Sequence, residues 1–587
     1  MARFCESCGK DMPDDAAFCP YCGKTAGQTA AGQAEQSTVL PSNLAGALAY
    51  PFRSFRDWIR HEEELGRVVR IQAPIKCGDY GEIVDIGNDI PGRQPKTEIR
   101  ATLRYLHTLP GKPIGIIENP VNNRPDIPVV LNTWPTRERV LSGLGLKTKD
   151  EFCEKIDRLK DKANKIRSVT VPRNRAACKE VVIRGKDINL RRDIPRNWLE
   201  FNQVLWSTCN GTIVVLDPET GNHDLGKCRL GQYEWKDADP AQPFPEDRVQ
   251  HEMFATLIYA GHVASNAGKF YRTRYKEKNR NMPAAFIFGV TTDVHITAGL
   301  RIFRWPEEGD EYDVVSTFRG EPIELVESET IPGLKVPASA EWVIEGEFLP
   351  EDEIMPPYAE DIASGYIFGG ESCPIFKVNC ITHRRNPLWD GTTFSSSGSS
   401  VVSGGGSHEG PHTGLQFLNI EPAAISFLRG LGFKIKDVVA IGGGREVVVV
   451  QTEVDGKDKP MAHYGKNILM ALRGNPAVTV GPVTKYLIVV GPDINPYDFN
   501  DVMWALGTRS MPVSDSIVIE KGLAGWGDPD ALPGPLGWKT FGEQVMIDGL
   551  IKIPERHENF PPRAEPTEWE IAAVNDLRRR ISEYAKR

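Results

Sequence analysis

At 587 residues, with 40 % apolar and 25 % charged side chains, the chain has the make-up of a globular protein too long for one core, and two or three are expected. A net charge of −9 and a pI near 5.8 argue against a polyanion-binding surface, and no apolar run approaches the roughly eighteen residues that cross a bilayer. The N-terminus, MARFCESCGK, lacks the apolar stretch of a secretory signal, so the cytosol is the expected compartment and neither nucleic acid nor membrane is an expected partner.

Of eleven cysteines, four fall in the first 22 residues, as Cys5-x2-Cys8 and Cys19-x2-Cys22. Two such knuckles complete a tetrahedral thiolate shell, so residues 1–25 read as a structural zinc ribbon with no open coordination position. The competing redox CxxC usually stands alone at a helix start. Residues 26–48 lack bulky apolar spacing and read as a flexible linker. Ser54-Phe-Arg-Asp57 resembles a capping box, and Phe55, Trp58, Ile59 and Leu65 then give a helical face before a strand-like Arg67–Ile71. Helical and β patterns alternate through 49–175.

Residues 176–385 are β-rich (CKEVVIRG, GTIVVLD, PAAFIFGVTT, EWVIEGEFL, PIFKVNCITHR), with a helical reading for 249–280. From 386 to 550 the alternation returns: FLNIEPAAISFLRGLG and YDFNDVMWALGTR read as helices, EVVVVQTEV and YLIVVGP as buried strands, which is an α/β texture. In the tail, 551–587, Thr567-Glu-Trp-Glu570 caps a last helix. Its Ile571, Val574, Leu577, Ile581 and Tyr584 form an apolar stripe that must bury on its own domain or on a partner subunit.

Three polar stretches are candidates for a site. DPETGNHDLGKCR carries Asp224 and Arg229. FRGEPIELVESE carries Glu324, flanked by Ile323 and Leu325, for which a place on the polar face of a strand is the default reading. EDEIMPPYAEDIASGY carries Glu360 and Asp361, and acid pairs in loops are usually solvated. Together they supply oxygen donors for a hard cation and a proton donor. The glycine-rich runs SSSGSSVVSGGGSHEG and IGGGRE have no Walker lysine and are weak phosphate signals. The mixed basic and aromatic KFYRTRYKEKNR reads as a solvated helix face.

The order of motifs over some 500 residues resembles the UbiD family of decarboxylases. The landmarks are DPETGNHDLGKCR, MPAAFIFG, GEPIELVE, VPASAEWVIEGEFLP, GYIF, KVNCITHRRNP and DINPYDFNDVMWALGTR. The resemblance implies an α+β chain in which a central split β-barrel carries prenylated FMN between an N-terminal α/β region and a C-terminal α/β domain. It implies reversible decarboxylation of an aromatic or unsaturated acid, a flavin prenyltransferase as supplier of the cofactor, and a homodimer or a hexamer of dimers.

By position, Asp224 matches the family's metal-binding asparagine, Asn266 its histidine, with His262 as the fallback, and Glu324 its glutamate. The implied shell at the flavin phosphate holds manganese or magnesium, with a monovalent cation alongside. Arg229 matches the arginine facing the substrate carboxylate, and Glu360 or Asp361 the proton donor. The family's first acid is absent, replaced by Met355 or Pro356. That departure suits an atypical substrate, such as a coenzyme A thioester or an unsubstituted ring, with 269–280 as the basic mouth for coenzyme A. The loop at 395–414, with His408 and His412, is expected to line the pocket. The alternative reading is a non-catalytic subunit of a multi-component carboxylase.

Overall fold

The computed structural model describes residues 3–4, 11–12, 49–78, 83–85, 93–95, 97–159, 165–197, 205–208, 211–233, 243–255, 257, 265–300, 309–354, 359–360, 367–368, 372–391, 414, 418–441, 447–454, 463–474, 484–523, 530–533, 539–552, 560–561, 563–564 and 567–584. The four cysteines of the ribbon lie outside these. The two-residue strands Arg3–Phe4 and Asp11–Met12, which bracket Cys5 and Cys8, pair antiparallel. The six cysteines among the described residues are buried.

Helix Phe55–Glu64 starts where Ser54 accepts a hydrogen bond from the Asp57 N–H at 3.3 Å while its hydroxyl donates to the Asp57 carboxylate at 2.9 Å. It buries Phe55, Trp58 and Ile59. The helix packs on a four-stranded sheet ordered Trp389–Asp390, Val129–Leu131, Ile114–Ile117, Val68–Ile71. Asp390 therefore returns the chain to the N-terminal unit after the central sheet is complete.

The central sheet is antiparallel and runs in the order Leu205–Thr208, Leu230–Tyr233, Glu252–Ala255, Ser372–His383, Trp342–Ile354, Met282–Phe288, Thr212–Leu216, His223–Lys227, with Val181–Arg184 beside Ser372–His383. Among the described strands no sheet closes. One bent hairpin nevertheless supplies both ends of the path. Residues 205–208 and 212–216 run opposite 230–233 and 223–227, and Cys228 N–H donates to Gly211 O at the bend. Where the long strands 342–354 and 372–383 bulge, a Cβ on Gly346 would lie 2.1 Å from Lys377 O, so only glycine fits.

The helical reading of 249–280 is corrected in part. Helix covers Glu246–His251, then Glu252–Ala255 is a strand between 230–233 and 372–383, and helical turns resume at Asn266. Ladder partners on both sides outweigh local propensity there. The C-terminal domain combines helices with one sheet. Its sheet is ordered Ile435–Ile441, Val447–Thr452, Tyr486–Val490, Lys539–Gly549, Ser516–Leu523, with three parallel strands at the centre and helices Glu421–Gly430, Tyr464–Arg473 and Phe499–Arg509.

The last helix, Glu568–Tyr584, has its capping box, with Thr567 N–H donating to Glu570 at 2.7 Å and Glu570 N–H to Thr567 Oγ1 at 3.2 Å. Trp569, Ile571, Val574, Leu577 and Ile581 are exposed in the single chain. No helix among the described residues is long and apolar enough to cross a membrane.

Candidate active site

The turn at the tip of the bent hairpin is built by Asp217. Its carboxylate accepts from the Glu219 and Thr220 N–H groups at 2.7 and 3.3 Å, its own N–H donates to Asn222 O at 2.8 Å, and Gly221 takes a left-handed φ of +73°. This fixes the register Leu216↔His223, Val215↔Asp224, Thr212↔Lys227. Side chains then alternate. Leu225 packs into the core that holds Val214, Ala285 and Tyr312, whereas Cys228 and Leu230 pack into the larger central core. Along the strand Asp224 and Gly226 face one way, His223, Leu225 and Lys227 the other.

On the even face, Asp224 is 3 % exposed and accepts from Asn266 Nδ2 at 2.9 Å. Asn266 opens the short helix Asn266–Phe270, whose Ala267 N–H also reaches Asp224. Across the strand backbone stands Glu311, 4 % exposed, the first residue of helix Glu311–Arg319, with its carboxylate accepting from the Leu225 N–H. Burial pushes the Asp224 carboxyl up to about 6 against the opposing bond from Asn266, and burial together with the Asp224 charge pushes Glu311 well above the usual carboxylate range.

The helix bearing Glu311 is fixed by Asp310. Asp310 accepts from Tyr312 N–H at 2.9 Å as N-cap and from His223 Nδ1 at 2.5 Å, while His223 Nε2 accepts from Lys335 N–H at 2.9 Å. Burial would raise the Asp310 carboxyl, but the His223 bond holds it below its ordinary value. His223 is thus locked as a positioning residue between two elements.

Of the residues singled out from the sequence, the fold brings Asp224 and Asn266 together. Glu324 goes elsewhere. It starts the strand Glu324–Glu327 in a separate three-stranded sheet, its side chain is 50 % exposed, and Oε1 accepts from Arg175 at 2.7 Å. The polar-face reading of its alternation is the one the structure bears out, and the buried acid that feels the Asp224 charge is Glu311. The sequence hid Glu311 because acids in a helix's first turn are ordinary complements of the helix dipole.

Arg229 is half-buried between strands 223–227 and 230–233. Glu360 lies on the short strand Ala359–Glu360, paired with Ile367–Phe368. Asp361, His262, His408, His412 and the zinc cysteines lie outside the described residues. Among the described residues no group of three or more His, Cys, Asp and Glu side chains could hold a metal. The Asp224–Glu311 pair becomes a three-donor set only through the amide oxygen of Asn266.

A buried carboxylate pair with raised pKa values is a candidate functional site. Comparison with known proteins places this hairpin within a matched family domain. The family model described as the 3-octaprenyl-4-hydroxybenzoate carboxy-lyase Rift-related domain matches residues 169–397, and that of the C-terminal domain of the same carboxy-lyase matches 420–549. A zinc-ribbon model matches 4–25.

The phenolic acid decarboxylase of Sedimentibacter hydroxybenzoicus is 25 % identical over 534 residues, which is 89 % of this chain and 95 % of that protein. The vanillic acid decarboxylase of the same organism, in its closed form, superposes with a TM-score of 0.68 at 22 % identity, covering 91 % of this chain and all of that one. The UbiD-class enzyme HmfF from Pelotomaculum thermopropionicum, in complex with FMN, gives 0.68 at 20 % identity, covering 89 % and 99 %. Two models of one family, together matching more than half of the chain and carrying the Asp224 hairpin within the first, make this protein a member of the UbiD family of carboxy-lyases.

Proposed function

We propose that the protein is a prenylated-FMN-dependent enzyme that reversibly decarboxylates an aromatic acid, with its cofactor on the central sheet read as a split barrel. The single observation that carries this reading is the buried Asp224–Glu311 pair beside Asn266, on the strand that leads to Arg229. Such a pair is unfavourable without a cation, and two carboxylates with one amide oxygen suit manganese or magnesium, a monovalent cation alongside being compatible with the excess negative charge. As placed, Asn266 turns its nitrogen to Asp224. Which amide atom points there follows from the hydrogen-bond network, and a cation would bring the oxygen round instead.

When bound, the prenylated flavin supplies an electron sink for the carbon that loses carbon dioxide. The chain's own residues do the rest. Arg229 holds the substrate carboxylate in a two-pronged hydrogen bond and so orients the ring. Glu360 or Asp361 gives the proton to the carbon left behind, which requires a carboxyl kept neutral by burial. His223 and Asp310 keep Glu311 facing the strand. A coenzyme A thioester or an unsubstituted ring remains the proposed substrate variant, with Lys269 to Arg280 as the basic mouth. There Arg274 is already paired with Glu219. The exposed stripe of helix 568–584 is the proposed contact of a homodimer or hexamer.

The test is to purify the protein anaerobically after co-expression with a flavin prenyltransferase, record its absorbance and identify the released cofactor by mass. Bound prenylated FMN that is lost in Asp224→Ala and Glu311→Gln but retained in Glu324→Ala is expected. A folded, colourless protein would overturn the reading and turn attention to the subunit role.

A further inference from the structure

Helix Glu311–Arg319 carries the acid of the proposed cation site at one end and a buried ion pair at the other. At the far end Arg319 donates from Nε to Asp293 Oδ2 at 2.8 Å. Its Nη2 donates to Phe52 O at 2.8 Å and to Thr291 Oγ1 at 3.2 Å. Asp293 is 1 % exposed and Arg319 8 %. The Asp293 carboxylate also accepts from the Thr291 hydroxyl and, at 2.9 Å, from the Val294 N–H. The guanidinium thus ties the last turn of the helix to the short helix Thr292–Thr297 and to the segment that leads into helix Phe55–Glu64. Gly320, at a left-handed φ of +89°, ends the helix directly after Arg319.

A buried ion pair is a poor way to gain stability. Taking both charges out of water cancels much of their attraction, and apolar side chains of similar volume often serve as well. What the guanidinium adds is direction, because its planar fork of donors accepts only one placement of its partners. Here that placement fixes the far end of a rod about 12 Å long from Glu311 to Arg319, at 1.5 Å of rise per residue. The near end is held by Asp310, the N-cap, through its bond to His223. One anchored end leaves a rod free to swing, and a second anchor removes that freedom. With both in place, the Glu311 carboxylate meets the Leu225 N–H at a set point on the hairpin strand.

We infer that Asp293 and Arg319 are positioning residues for the cation site: their pair aims helix Glu311–Arg319 and thereby sets where the Glu311 carboxylate stands relative to Asp224. The inference rests on the reading of Glu311 as a ligand of manganese or magnesium given above. A site of this kind works only within about 0.5 Å and 10–20° of its productive geometry. A rod that swings about Asp310 turns the Glu311 side chain through the same angle as its own axis. Lysine at position 319 does not replace the arginine, because an ammonium is a point charge and lacks the fork that reaches Asp293 and Phe52 together.

The experiment compares three full-length, cation-free proteins: the unmodified chain, Arg319→Lys, and a paired variant carrying Asp293→Asn with Arg319→Met. The paired change removes both charges together, so no lone charge is left buried and the chain keeps its fold. Manganese is titrated into each by calorimetry, and hydrogen exchange is followed in the peptide that contains Leu225. The expected result is manganese binding about tenfold weaker in both variants. Exchange at Leu225 should be about tenfold faster in both, while the core strand Met282–Phe288 keeps its protection. Unchanged manganese affinity and unchanged exchange in the paired variant would overturn the positioning role. So would Arg319→Lys behaving as the unmodified chain, since a plain charge pair survives that change. If the unmodified chain takes up no manganese, the reading of Glu311 as a ligand fails on its own. Exchange at Leu225, which needs no cation, then still decides whether the pair aims the helix.

Discussion

Two buried acid sites in this protein are equally withdrawn from water and behave in opposite ways. Glu421, at the start of helix 421–430, is completely buried, and its carboxylate accepts from Arg137 at 2.5 and 2.9 Å, from Lys149 at 3.2 Å and from the Ala440 N–H at 2.8 Å. Burial alone would raise its pKa, but the two cations more than reverse that and hold the carboxyl below its ordinary value. Asp224 and Glu311 are instead buried to either side of the strand backbone at Leu225, and both are raised. Glu421 is a finished joint between the N-terminal unit and the C-terminal domain. The other pair is the one the proposed function completes with a cation. Burial alone therefore does not fix the direction in which an acid's pKa moves; its partners do.

The largest expected effect breaks the finished site. Arg137→Met leaves Glu421 without its main partner and should lower stability by about 3–5 kcal/mol in urea unfolding. Loss within a few tenths would mean that Lys149 alone suffices.

Titration should then pull the two sites apart. Asp224 has a folded pKa near 6, above an unfolded value of about 4, so its penalty is absent below about 4, grows as pH rises through 6 and is full above that. Glu421 has the opposite sign, and its stabilisation is lost as pH falls through its lowered folded pKa. Cation-free protein should therefore gain on the order of 2 kcal/mol between about pH 7 and pH 5, then lose stability in stronger acid. A monotonic fall from neutrality downwards would contradict the Asp224 assignment.

Smaller still, Glu311→Gln should raise the stability of cation-free protein by about 1–2 kcal/mol and abolish the increase in Tm given by added manganese. An unchanged manganese response would remove Glu311 from the proposed shell. Glu324→Ala is the control. It breaks an exposed pair with Arg175, so stability should change by less than about 0.5 kcal/mol, and the manganese response should persist.

What could be read beforehand was local. The CxxC spacing, the Ser54 and Thr567 caps and the apolar runs 447–452 and 486–490 are signals carried by neighbouring residues, and the matching elements or family match are found. The outward place of Glu324 was legible in its alternation, and only the positional analogy moved it inward. What escaped depends on distant partners. Strand 252–255 exists because two other strands flank it, Glu311 meets Asp224 across 87 positions of chain, and Lys227 meets His295 across 68. No window of sequence contains such pairs.

The hairpin strand that bears Asp224 on one face and Lys227 on the other also sets how this chain can change over generations. Inserting or deleting one residue between positions 224 and 227 would carry the rest of the strand through to the opposite side, exchanging the amine for a small or apolar neighbour. Point substitutions there alter one interaction at a time, whereas a length change destroys both at once. Variation in length is expected to collect in the turn at 217–222, which lies outside the paired register, and to be absent from 223–227 in any relative that keeps both interactions.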